Sequence, residues 1–178
     1  NGYDEIDFEG IERSERRTGK TVHLIHAGLL NPHDRDPEPF FKGIALLLQR
    51  GGVRRDDLVV ELIAPGNEGN YQQAIDKFGL GGVIKLQGSV PYKEALQNMA
   101  AADILLLFQG ESCAHQIPAK AYEYLRTGRP IFALTPATSD TARLILEANA
   151  GAVVPPDQPE TLADALEHWI ASIQHRIA

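Results

Sequence analysis

Residues 118–130 read Pro-Ala-Lys-Ala-Tyr-Glu-Tyr-Leu-Arg-Thr-Gly-Arg-Pro, and the continuously apolar Ile131-Phe132-Ala133-Leu134 follows at once. Proline suits a first helical turn, because the N–H it lacks is one that a helix leaves unbonded there anyway. Glycine suits the position just past the last turn, where the chain turns left-handed. The spacing therefore predicts a helix over 118–127 and a strand over 130–134. Lys120 and Glu123, three residues apart, share one helix face. On an ordinary surface helix that pair contributes only ~0.2–0.5 kcal/mol. A helix that opens at the C-terminal edge of a parallel sheet instead points free N–H groups into the crevice where such folds bind phosphates. Whether the two charges face a ligand or each other is the question this stretch poses.

The same helix-then-strand rhythm extends outward in both directions. Apolar runs over 22–27, 58–64, 83–86, 104–108, 131–134 and 152–154 predict strands, and helices are expected over 37–50, 68–78, 92–101, 118–127, 139–148 and 159–174. Ala95, Leu96, Met99 and Ala100 make one apolar helix face, and Leu162, Leu166, Trp169, Ile170 and Ile173 make another. Pro91 and Pro118 stand where first turns begin, Gly79 and Gly128 where helices end. Strict alternation of this kind predicts an α/β fold, a Rossmann-like doubly wound parallel sheet of about six strands with helices on both faces. With right-handed crossovers and the common strand order 3-2-1-4-5-6, the switch point falls between the first and fourth strands. The loops 28–36 and 109–117 then face one crevice, which brings Arg35 beside the helix that starts at Pro118. Residues 1–20 mix acidic and basic side chains and read as a linker or loosely packed arm, leaving 21–178 as the folded domain.

Composition narrows the function classes. The chain has 178 residues, 43% of them hydrophobic, enough for one domain with a sizeable core. Its longest apolar runs are too short to span a bilayer, and no charged-then-apolar signal opens it, so a cytoplasmic setting is expected. The single cysteine, Cys113, fits a reducing compartment. A net charge of −7 argues against a nucleic-acid partner, because such domains carry a basic stripe.

Several patterns that resemble chemistry fail on context. Gly19-Lys20-Thr21 looks like the end of a phosphate-binding loop, yet the earlier glycine position holds Ser14, and a strand rather than a helix follows. Asp34-Arg35-Asp36 has an Asp-x-Asp form, but turn and cap duty explains it, with Asp36 capping the next helix. His23 and His26, three apart on a strand, point to opposite faces and are core or surface residues rather than shared metal ligands. Cys113 and His115, i and i+2 neighbours in a loop, are not evidence of a nucleophilic dyad, and no Asp or Asn partner is identifiable for them. No metal site is expected.

The helix at Pro118 survives that scrutiny. The loop before it, Gln109-Gly110-Glu111-Ser112-Cys113-Ala114-His115-Gln116, is long and polar directly after a buried strand, where such sheets carry binding groups. A carboxylate at Glu123 can accept both hydroxyls of a ribose diol, and Lys120 with the helix N-terminus can neutralise a diphosphate. At this point the residues resemble a known family. The 118–130 segment resembles the P-x-K-x-x-E-Y-L-x-x-G-[KR]-P motif of GT-B glycosyltransferases of group 1, the family 4-like set. Asn1-Gly2-Tyr3-Asp4 is similar to the N-G-x-D that leads into their donor domain. Residues 83–90, 101–107 and 151–155 match further family segments in the same order and spacing.

The resemblance implies the C-terminal donor-binding half of a two-domain transferase, with residues 1–20 as interdomain linker and the N-terminal acceptor domain absent from this chain. Glu123 would bind the donor ribose. The backbone near His115, Gln116, Ile117 and Pro118 would meet the sugar and phosphates, Ser89 and Val90 the nucleobase, and Gly28 would let the chain approach the diphosphate. Arg35 and Lys120 would stabilise the leaving diphosphate. No cofactor is implied; the substrate would be a UDP-, GDP- or ADP-type sugar, transferred with retention. Any peripheral membrane association would belong to the absent domain, and the domain alone would turn over little or nothing. Lys42-Gly43 imitates the family's K-G but lies within a helix and reads as surface. The family's E-x7-E is broken, because the position eight before Glu123 holds His115, and Glu111 is out of register. That departure keeps open a non-catalytic nucleotide-binding or scaffold module; a GT-B-fold nucleotide-sugar epimerase, which shares the site but needs a pair of acid/base carboxylates not identifiable here, ranks third.

Overall fold

The computed structural model describes residues 2–11 and 19–175. Asn1, with which the chain-start motif begins, and residues 12–18, which include Ser14, lie outside the described residues. Six strands, β1 (Val22–Ala27), β2 (Leu58–Ile63), β3 (Ile84–Gln87), β4 (Ile104–Phe108), β5 (Ile131–Leu134) and β6 (Gly151–Val154), alternate with helices α1 (Glu38–Gln49), α2 (Glu68–Lys77), α3 (Tyr92–Ala101), α4 (Ala119–Thr127), α5 (Asp140–Glu147) and α6 (Pro159–His175). The strands form one sheet in the order β3-β2-β1-β4-β5-β6, parallel throughout. Strands and helices fall within a residue or so of their expected bounds. The second strand stops at Ile63 because Ala64 turns into the left-handed region with φ 51°.

The two faces of the sheet are covered by different helices. Phe40, Phe41, Ile44 and Leu47 of α1, Ile75 of α2 and Leu162, Leu166 and Ile170 of α6 share one core with Leu24, Val60 and Leu106. Leu96 and Met99 of α3, Ala121 and Tyr124 of α4 and Ile145 of α5 share the other with Ile25, Leu105 and Leu107. Adjacent strand residues thus feed opposite cores, which is why β4 is apolar at every position and buried throughout. The connection from β3 to β4 crosses the whole first half of the sheet. It lays α3 next to α4, and both helices start at the C-terminal edge, one on each side of the switch point between β1 and β4.

Two local expectations change. Lys42 is exposed and pairs with Glu38 at 3.6 Å, but Gly43 is no surface residue: a Cβ there would come within 2.3 Å of Leu162 Cδ2. The α1–α6 contact requires its missing side chain. The described part of the N-terminal arm is also not loosely packed. A 3-10 turn over Glu5–Phe8, capped by Asp4, drives Phe8 into the α3–α4 core at 4% exposure. Tyr3 packs edge-on against its ring, Arg126 of α4 lies over it, and the Arg126 guanidinium donates to the Glu5 carboxylate. One aromatic anchor outweighs the mixed charges that made this segment read as loose. Among the described residues, no helix is long and apolar enough to cross a membrane.

Candidate functional site

The C-terminal edge carries a cavity of about 390 Å³ at the N-terminus of α4. Arg35, Phe108, Gln109, Cys113, Gln116, Ile117, Pro118, Ala119, Lys120 and Glu123 line it. The sheet order alone explains the gathering: β1 and β4 are neighbours, so the loops that follow them converge. Helix α4 forms because Ala121 and Tyr124 offer a buried stripe, and because Gly128, at φ 65°, ends it in the left-handed turn that sends its N–H back to Leu125. That stripe fixes the rotation of the helix and leaves Lys120 and Glu123 toward the cavity.

Neither charge is spent on the other. The Lys120 amine donates to the carbonyl of Ala27, the last residue of β1. Burial holds it below the usual lysine range and Arg35 adds to that effect, while the Glu123 carboxylate opposes it. Gly28 makes the arrangement fit. Its φ is 121°, and a Cβ there would stand 2.8 Å from Lys120 Nζ. Gly28 thus gives room to the lysine at the cavity wall. Glu123 accepts a hydrogen bond of 2.9 Å from the Tyr92 hydroxyl, at the first residue of α3.

Beneath these groups lies a buried polar layer that sequence reasoning did not connect to the site. His26 is 1% exposed, with Nδ1 2.9 Å from the Leu106 carbonyl and Nε2 3.1 Å from the Gly28 carbonyl. Burial, and then the Lys120 charge, push its pKa down to about 3, against the two carbonyls, which favour the protonated ring. Tyr124 donates to the same Leu106 carbonyl at 3.2 Å, and burial raises its pKa. Gln109, likewise buried, donates to the carbonyls of Cys113 (2.8 Å) and Gln116 (2.7 Å) and accepts from Thr135 at 3.1 Å. It folds the loop after β4 into shape. Gly110 ties that loop to the one after β1, since its N–H donates to the Asp34 carbonyl and a Cβ would meet that oxygen at 2.9 Å.

Of the sequence-derived candidates, Arg35, Lys120, Glu123, Gln116, Ile117 and Pro118 share the cavity lining, and Gly28 supports it from behind Lys120. His115 is exposed and is not among the lining residues. Ser89 is exposed after β3, and Val90 packs partly into the core beneath. Asp36 does cap α1, accepting from the Glu38 N–H at 2.9 Å. Tyr92 was missed because a tyrosine at a helix start carries no motif; only its adjacency to α4 across the switch point gives it a role. Among the described residues, no group of three or more His, Cys, Asp or Glu is placed to hold a metal ion.

Sheet order, helix coverage and a crevice at the switch point define a Rossmann-like domain. The family model for glycosyl transferases group 1 matches residues 21–172, and the chain belongs to that family. No curated protein sequence matches the chain. Among solved structures it is similar to WaaG, a glycosyltransferase involved in lipopolysaccharide biosynthesis, with a TM-score of 0.70 and 18% identity over 97% of this chain and 44% of that one. It is also similar to the C-terminal domain of the group 1 glycosyl transferase LpcC from Francisella tularensis, with a TM-score of 0.62 and 19% identity over 89% of this chain and 80% of that one. MnaA of S. aureus, solved with UDP, gives a TM-score of 0.59 and 12% identity over 89% of this chain and 40% of that one. The chain thus spans less than half the length of WaaG and MnaA.

Proposed function

We propose that this chain is the donor-binding half of a glycosyltransferase, receiving a nucleoside-diphosphate sugar in the cavity at the start of α4. The observation that carries this reading is the convergence of Arg35, Lys120 and Glu123 on one cavity at the switch point, in a chain of the group 1 family. Glu123 accepts the two ribose hydroxyls. Lys120, Arg35 and the α4 N-terminus hold the diphosphate and stabilise the charge that develops on it as the bond to the sugar breaks. The glycosyl group passes to an acceptor hydroxyl held by an N-terminal domain that residues 1–20 would join to this one, with retention. The UDP bound by MnaA supports a uridine nucleotide as the first ligand to try.

The test is nucleotide binding. UDP, GDP or ADP should raise the melting temperature of the chain. Glu123→Ala should weaken binding of the effective nucleotide about tenfold, the scale for losing hydrogen bonds to a charged group. No stabilisation by any of the three sinks the reading. The position of His115, exposed and eight residues before Glu123, favours a second reading, a nucleotide-binding module without transfer. Transfer of labelled sugar by the longer protein discards it.

A further inference from the structure

Resting on that donor-site reading, we propose that Tyr92 is a positioning and base-binding residue of the nucleotide site, its hydroxyl aiming the Glu123 carboxylate at the ribose and its ring forming the platform on which the base stacks. The sheet topology sets the pair up. The connection from β3 to β4 places α3 beside α4, so the first residue of one helix reaches the second turn of the other. The Tyr92 hydroxyl bonds Glu123 at 2.9 Å. Burial and that carboxylate push its pKa up to about 12, which keeps the phenol a donor at any physiological pH. An ionised carboxylate has about four acceptor sites, so Tyr92 can hold one oxygen while a diol takes others.

The ring carries the second half of the inference. Tyr92 is 49% exposed, one of few large apolar side chains among the described residues to be so. A tyrosine anchored at its hydroxyl but bare on its flank is a rigid flat surface with little rotamer freedom left to lose. Its neighbours in the 88–92 segment do not compete for this role, since Val90 packs partly into the core and Ser89 has no flat face. The ring is outside the cavity lining and borders it through Glu123, the lining residue its hydroxyl holds, so it extends the site beyond the ribose contact. Stacking of this type tolerates any base, so it supplies affinity rather than a choice between uracil and purines.

The experiment titrates the 178-residue chain and its Tyr92→Phe, Tyr92→Leu and Glu123→Ala variants with UDP, GDP and ADP, and with the forms of each that lack both ribose hydroxyls. Tyr92→Phe should raise the Kd for the ribonucleotide about three- to tenfold, one hydrogen bond's worth, and leave the deoxygenated nucleotide unchanged. Tyr92→Leu should cost about a further tenfold on both. Unchanged melting of the ligand-free Tyr92→Phe chain separates this from unfolding. If Glu123→Ala weakens binding but Tyr92→Leu stays within about twofold of the parent, this inference fails and the donor site stands. It fails as well if Tyr92→Phe acts equally on both nucleotide forms. If the parent chain binds none of the three nucleotides, the donor site falls and this inference with it.

Discussion

The two walls of the crevice are built by different means. On one side, Lys120 and Glu123 stand on a helix whose opposite face is sealed against the sheet through Ala121 and Tyr124. On the other, the 109–117 loop exposes Glu111, Ser112, His115 and Gln116, and a short 3-10 turn, the buried Gln109 and hydrogen bonds with Asp34, Asp140 and Thr141 give it form. In the proposed donor site the helix wall would face what every nucleoside diphosphate shares. The loop wall is where donors would differ. Groups that meet a constant feature gain from rigid placement, while a loop can change its residues without disturbing the core.

That contrast can be broken most severely at Gly28. Gly28→Ala puts a Cβ in a backbone region that disfavours it and 2.8 Å from Lys120 Nζ. The expected cost is roughly 2–3 kcal/mol of stability, from backbone strain and the displaced lysine. Nucleotide affinity should fall further than the melting curve alone implies. Chemical denaturation with parallel nucleotide titration reads both. A neutral substitution would mean that the helix wall is not rigid. A smaller break lies in the loop wall. Gln109→Ala removes donors from the Cys113 and Gln116 carbonyls and an acceptor from Thr135, which keeps Ser139 as partner at 2.9 Å. The expected loss is about 1–3 kcal/mol. Its sharper signature is local: amide exchange should rise across 110–117 while α4 stays protected. Exchange rising equally in α4 would show the two walls to be one unit.

The same contrast explains what the sequence made legible. The fold followed from apolar periodicity, because the central strands feed a core on both sides, most plainly in the unbroken run at Ile104–Phe108. The Arg35–Lys120 pairing followed from strand order alone. The buried polar layer did not: His26 and Tyr124 are placed by the Leu106 carbonyl of another strand, and Gln109 by carbonyls of its own loop, contacts that follow no sequence motif. Gly43 misled for a related reason. In sequence it sits beside the exposed Lys42, and only the approach of α6 reveals that it must be bare. Tyr92 and Glu123 are 31 residues apart, joined by a crossover that periodicity predicts but whose end-to-end contact it does not.

The finest test of the two-wall contrast is His115→Glu, which restores the carboxylate spacing that the family motif leads one to expect. His115 is exposed and outside the cavity lining, so stability should move by no more than about 0.5 kcal/mol. Affinity for UDP alone should stay within about twofold, because a new surface charge is screened over the distance to the helix wall. The effect should appear only when a sugar is attached, as a change in the ratio of UDP-glucose to UDP affinity, since a carboxylate offers two acceptor oxygens to sugar hydroxyls where an imidazole offers at most one acceptor nitrogen. Two outcomes carry the argument. A shifted ratio with constant UDP affinity means that the loop reads the sugar independently of the helix that reads the nucleotide. A UDP affinity changed by about tenfold means the opposite, that loop and helix are coupled through Gln116 and the α4 N-terminus they share.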